Sequence, residues 1–204
     1  MTKSLRLFIE QVIQQELAEE AVPYSMAVSQ GLAMRVDEEG GVTTMILYDP
    51  RLYGTKEMIM GLIEIEKSFT CHSWRIVTSS AEKGYGPLMY DIAFSYAGKD
   101  GLMSDRIQVS DAARKVWAYN FTVRKNDFEI VPVEGKCAYK GRWQEEQALN
   151  HKFILKNPID FRQFVDSHEK FMNTLGSKDQ DDFLNDLIDQ SVKFFNQKYY
   201  PKTA

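Results

Sequence analysis

An α+β fold, with a mostly antiparallel mixed sheet flanked by helices and a two-helix extension at the C-terminal end, is predicted by three features of this sequence. Short apolar runs of strand length are punctuated by turn residues between positions 31 and 78. A strand, a glycine loop and a helix follow in that order across 74–96, and the tail beyond Pro158 carries aromatic and aliphatic residues at helical spacing. The 204 residues suffice for one main domain, 1–157, with a helical extension, 158–204.

Composition narrows the function classes. Hydrophobic residues make up 44% and charged residues 26%, a balance that excludes a largely disordered chain. Lys plus Arg number 25 against 29 Asp plus Glu, for a net charge of -4. Without a basic block to release counterions, nucleic-acid binding is disfavoured. The stretch 72–142 is mildly basic all the same, which suits an anionic ligand or a solvated surface. Cys71 and Cys137 make no disulfide framework and predict two thiols in a reducing compartment. No run reaches the roughly 18 apolar residues of a membrane span, and no apolar signal core opens the chain, so no membrane partner and a cytoplasmic location are expected.

Taken in order, Leu5, Phe8, Ile9, Val12, Ile13 and Leu17 predict an amphipathic helix that Pro23 stops. Gly31–Val36 and Val42–Tyr48 predict a hairpin whose turn contains Asp37, Glu38, Glu39 and Gly40-Gly41. Leu62–Glu66 alternates with period two, as do Trp74, Ile76 and Thr78, and both predict strands. Leu88, Met89, Ile92, Ala93 and Tyr96 fall at helical spacing, and Gly98 and Gly101 close that helix. Leu102-Met103 begins a short strand, and 110–121 is a helix capped by Ser110 with Asp111 in its first turn. Strands are predicted at 128–133 and 151–155, then helices at 158–175 and 179–200 separated by Gly176-Ser177. The aromatics of that tail require cover, either as a cap on the sheet or as an interface with a second copy or another protein.

The informative run is Ser79-Ser80-Ala81-Glu82-Lys83-Gly84-Tyr85-Gly86-Pro87-Leu88. Gly84 and Gly86 permit a close backbone turn, and Pro87 suits the first turn of a helix, where its missing N–H is no loss. A helix N-terminus at the end of a strand presents free donors and partial positive charge, a ready seat for diphosphate. The run resembles the acyl-coenzyme A (acyl-CoA) loop of the GNAT superfamily of N-acyltransferases, whose pattern is Gln or Arg, two residues, Gly, one residue, then Gly or Ala. Gly84 and Gly86 match; Ala81 stands where Gln or Arg is usual. Downstream, Ser110, Ala113, Val116 and Trp117 occupy the spacing of the family's second motif, with Trp117 in place of its Tyr and Phe121 where the terminal aromatic would sit. The wording from Gly84 to Ala93 with Ser104-Asp105-Arg106 is also similar to acetyltransferase-like proteins of tailed bacteriophages.

The resemblance implies a GNAT-like fold, acetyl-CoA as co-substrate, and an amine-bearing acceptor. It implies a coenzyme site at Val77, Ser79, Gly84, Tyr85, Gly86, Pro87 and Leu88. Where the family commonly uses Tyr as acid for the departing thiolate, Trp117 has no titratable proton near neutral pH and reads as an apolar plug. Tyr119, about half a helical turn away, is the nearest phenol. Glu64, Glu66 and Asp105 are candidate bases, although each also fits a solvated face or an ion pair, Asp105 with Arg106 in particular. No zinc-ligand spacing is present, so no metal is expected. The rival reading is a non-catalytic module that binds another protein, motivated by Trp117, Ala81 and the aromatic tail. A weaker rival, nucleobase modification, needs Arg75, Lys83, Arg114, Lys115, Arg124 and Lys125 gathered into one patch.

Overall fold

Residues 21–142 and 146–199 are described by the structure, a computed structural model. The helix expected over Leu5–Leu17 lies outside them. Helix α1 (Tyr24–Ser29) starts after Pro23, and strands β1 (Ala33–Glu39) and β2 (Val42–Tyr48) form the hairpin. Asp37, Glu38 and Glu39 belong to β1 rather than to the turn, which is Gly40-Gly41 alone, with φ of 60° and 85°. Strands β3 (Ile59–Ser68) and β4 (Ser73–Ala81) lead into helix α2 (Gly86–Ala97). Then come β5 (Leu102–Met103), α3 (Asp111–Thr122), β6 (Phe128–Pro132), β7 (His151–Leu155), α4 (Arg162–Met172) and α5 (Ser177–Tyr199). The α+β class is therefore observed. Pro23 opens α1, an element the sequence reading placed nowhere.

The strands form one seven-stranded sheet in the order β1-β2-β3-β4-β5-β7-β6. Every neighbouring pair is antiparallel except β4 and β5, which run parallel. Alternation along β2 explains the layering. Met45 and Leu47 join the core shared with α2 and α3, while Ile46 and Tyr48 join the core shared with α5. Gly61 lets α2 approach β3, since a Cβ there would lie 2.6 Å from the Met89 Cγ.

The tail helices cover this chain's own sheet. Phe164 of α4 packs edge-on against Tyr24 in the α2-side core, and Phe171 and Met172 of the same helix pack against the other core. Phe183, Leu187 and Phe194 of α5 are buried over β2 and β3. Tyr24 Oη donates to the Asp160 carbonyl at 2.8 Å, and Ile159 N–H donates to Ser95 Oγ at 3.0 Å. These bonds tie the segment before α4 to α1 and α2. Of the two covers open to the tail aromatics, the cap is the one formed.

The cysteine expectation is corrected. Cys71, in the β3–β4 turn, and Cys137, in the segment between β6 and β7, form a disulfide with their Cα atoms 5.7 Å apart. A separation of 66 residues hides such proximity from spacing arguments; only the sheet order brings the two ends together. Among the described residues no helix is long and apolar enough to cross a membrane.

Candidate functional site

The site begins where β4 and β5 part. β5 pairs with β4 only at Trp74–Leu102 and Arg75–Met103, so β4 runs on from Ile76 to Ala81 without a partner on that side. Within the same stretch the register between β3 and β4 slips: Glu64 faces Thr78, while Ile65 faces Ile76. Val77 is the extra residue, a bulge that turns it outward to 43% exposure.

At the far end of β4 the chain turns through Gly84, whose φ of 88° suits glycine, and enters α2 with Pro87 in its first turn. The Tyr85 N–H donates to the Glu82 carbonyl at 3.0 Å. The Gly84 carbonyl accepts from Val22 N–H at 2.9 Å. The N–H groups of Gly84, Gly86 and Leu88 have no acceptor among the described residues, and no side chain caps the helix. A Cβ built on Gly86 would meet nothing within 4 Å, so open space lies against that residue. Tyr85 is anchored sideways: its Oη donates to Gln30 Oε1 at 3.2 Å, and burial followed by the nearby Asp49 carboxylate raises its phenol above the ordinary range. Three free donors, a helix dipole and adjoining space make this loop able to hold an anion.

The remaining predicted residues separate into different surroundings. Ser79 Oγ lies 3.4 Å from Tyr90 Oη on the α2 side of the sheet. Trp117 is 1% exposed and packs against Tyr90, Phe94 and Phe153 with ring centroids 5.2–5.8 Å apart. It is a core residue, as its plug reading anticipates. Tyr119 is half-buried on α3, and Asn120 is buried, its Oδ1 accepting from Arg124 Nη1 at 3.5 Å while its Nδ2 has no partner among the described residues. Asp105 neither pairs with Arg106 nor stands free: its Oδ1 accepts from the Ile107 and Gln108 N–H groups at 2.7 and 2.6 Å, which orders the turn after β5. Arg106 is buried instead among oxygens. Its Nε donates to the Ser104 carbonyl at 2.9 Å and its Nη1 to the Cys137 carbonyl at 3.0 Å, and burial lowers its pKa to about 10. Glu66 is engaged with Arg75 at 2.5 Å.

Glu64 lies on the opposite sheet face, in a cleft of about 840 Å³ between β1–β4 and α5. Thr44 Oγ1 donates to its Oε1 at 3.3 Å, and Thr78, beside the Val77 bulge, lines the same cleft. The structure therefore brings Glu64 next to the strand divergence and leaves Asp105 and Tyr119 in other surroundings. Sequence reasoning missed the cleft because α5, which forms one wall, is more than a hundred residues away from Glu64 along the chain. The exposed Ile188 and Val192 on α5, set four apart, were the available signal. Among the described residues no group of three metal-ligating side chains gathers.

No protein-family model, curated protein or solved structure matches this chain, so the strand divergence, the amide loop and the cleft must carry the functional argument themselves.

Proposed function

We propose that this chain is a GNAT-like N-acyltransferase that moves an acetyl group from acetyl-CoA to an amine. The supporting observation is the loop after β4, whose Gly84, Gly86 and Leu88 amides have no acceptor among the described residues and stand at a helix N-terminus with open space against Gly86. Those amides hold the diphosphate of the coenzyme, and the pantetheine arm follows the unpartnered edge of β4 toward the Val77 bulge. Glu64, beside that bulge, takes the proton from an acceptor ammonium. The neutral amine attacks the thioester carbonyl carbon, the C–N bond forms and the C–S bond breaks, and the nitrogen releases its second proton to solvent. Trp117 is sealed in the core and offers the thiolate no proton, so the thiolate leaves as the anion and is protonated by solvent.

Isothermal titration with acetyl-CoA tests this reading. A dissociation constant below about 1 mM, corresponding to roughly -4 kcal/mol, is expected. Gly86→Trp, whose side chain has room to fold outward, abolishes the heat while leaving the melting temperature near that of the parent. No heat and no thermal shift at millimolar coenzyme overturns the assignment. A second reading, a non-catalytic module acting on another protein, is favoured by the burial of Trp117 and the use of Asp105 as a turn former. Coenzyme binding without release of free thiol across a panel of amines would select it.

A further inference from the structure

We infer that the cleft between the β1–β4 face and α5 is a binding site for a small primary amine that also carries an accepting oxygen, such as a basic amino-acid derivative. The charge of the lining favours a cation. Among the described residues Asp37, Glu39 and Glu64 face it against a single cation, Arg35, while Glu38 turns to the opposite sheet face and accepts from Tyr96 Oη of α2. Arg35 is itself neutralised: its Nε lies 2.7 Å from Asp37 Oδ2. Glu64 accepts from Thr44 Oγ1, a neutral donor that leaves its negative charge in place. Three carboxylates against one guanidinium thus give an electronegative trough partly shielded from water, where a single positive charge is attracted more strongly than on an open surface.

The rest of the lining defines the body of the ligand. Ile46 and Leu62 of the sheet and Ile188 and Val192 of α5 give the trough apolar walls, which suit a methylene chain leading away from the ammonium. Arg35 Nη1 is buried and has no hydrogen-bond partner among the described residues, although a guanidinium donor shut away from water ordinarily has one. A carbonyl or hydroxyl oxygen on the ligand satisfies it. At about 840 Å³ the cleft is in the range of small-molecule sites. Glu64 stands at the end of the trough that reaches Thr78 and the β4 bulge. Under the acyltransferase reading, on which only the fate of the amine depends, that is the end at which the nitrogen meets the thioester.

The test is a titration of the full chain, without coenzyme, with Nα-acetyl-lysine amide, and in parallel with its Nε-acetylated, uncharged counterpart. Saturable binding of the first, at least about tenfold tighter than the second and weakened by added salt, is expected. Glu64→Gln keeps an acceptor for Thr44 and removes one charge; Val192→Arg places a cation on an exposed α5 position at the mouth. Each weakens the charged probe about tenfold or more while the melting temperature stays near that of the parent. Equal affinity for the two probes, no saturable binding by the parent chain, or binding indifferent to Val192→Arg overturns the assignment. Because coenzyme is absent, amine binding without acetyl-CoA binding would reject the acyltransferase reading and keep this one, and the reverse result would do the opposite.

Discussion

Tyr48 is wholly buried, and its hydroxyl lies 2.6 Å from His168 Nδ1, which joins the sheet to α4. Burial, reinforced by the nearby Arg35, holds the His168 imidazole below its ordinary pKa. The folded chain therefore binds fewer protons at this residue than the unfolded chain. The stability it contributes is present above about pH 6.5 and is lost as pH falls toward the lowered folded value. The melting temperature is expected to drop between pH 7 and pH 5. His168→Phe, which strands the Tyr48 hydroxyl, should cost about 1–3 kcal/mol at pH 7 but flatten that acid slope; a slope unchanged in the variant would remove His168 as its source. Gly61 offers a second check. Gly61→Ala drives a methyl into Met89 and should cost about 1–3 kcal/mol in a denaturant titration. At this scale the glycine loop was legible because Gly84, Gly86 and Pro87 carry their backbone requirements with them. Asp105 was not, since a carboxylate that orders a turn and one that accepts a substrate proton look alike until the nearby N–H groups are positioned.

Among the elements, α3 shows what local patterning reveals. Ser110 caps it, with Oγ accepting from Ala113 N–H at 3.2 Å, and the predicted helix agrees with the observed one to within a residue at each end. The short β5 and the strands on either side of α3 were equally visible as apolar runs. By contrast, α1 has six residues and follows a proline that reads as a terminator, so its helical spacing is too brief to register. Trp117→Ala should cost about 3–5 kcal/mol, because the indole fills the contact between α3, α2 and β7; guanidinium unfolding followed by tryptophan-independent circular dichroism would measure it. The ion pairs of Arg124 with Asp91 at 2.7 Å and Asp127 at 2.9 Å fasten the end of α3 to α2. Arg124→Ala leaves the largely buried Asp91 carboxylate without its cation and should cost about 1–3 kcal/mol, with the loss read from thermal melts near neutral pH.

For the whole molecule, the sheet order, the parting of β4 from β5 and the α5 cleft are products of long-range pairing, and no window of sequence contains them. The order of elements from 31 to 155 was readable; which strand lies beside which was not. The tail illustrates the same limit. Its buried faces were evident from Phe183, Leu187 and their neighbours, yet their cover, the sheet of the same chain, follows only once β2 and β3 present Ile46, Tyr48, Ile59 and Leu62 on one side. Phe183→Ala should therefore destabilise the whole chain by about 3–5 kcal/mol, and do so independently of protein concentration. A melting temperature that rises with concentration would point to cover by a second copy instead.

The Cys71–Cys137 bond makes a covalent ring of the chain between them, and that ring carries β4, the amide loop, α2, β5, α3 and β6. A protease that cuts once anywhere inside the ring leaves two pieces still joined, running as a single species on a non-reducing gel and as two after dithiothreitol. Limited digestion thus becomes a direct readout of topology: a nick in the exposed stretch around Ile107 is silent until the sulfurs are reduced, whereas a nick outside residues 71–137 separates fragments under either condition.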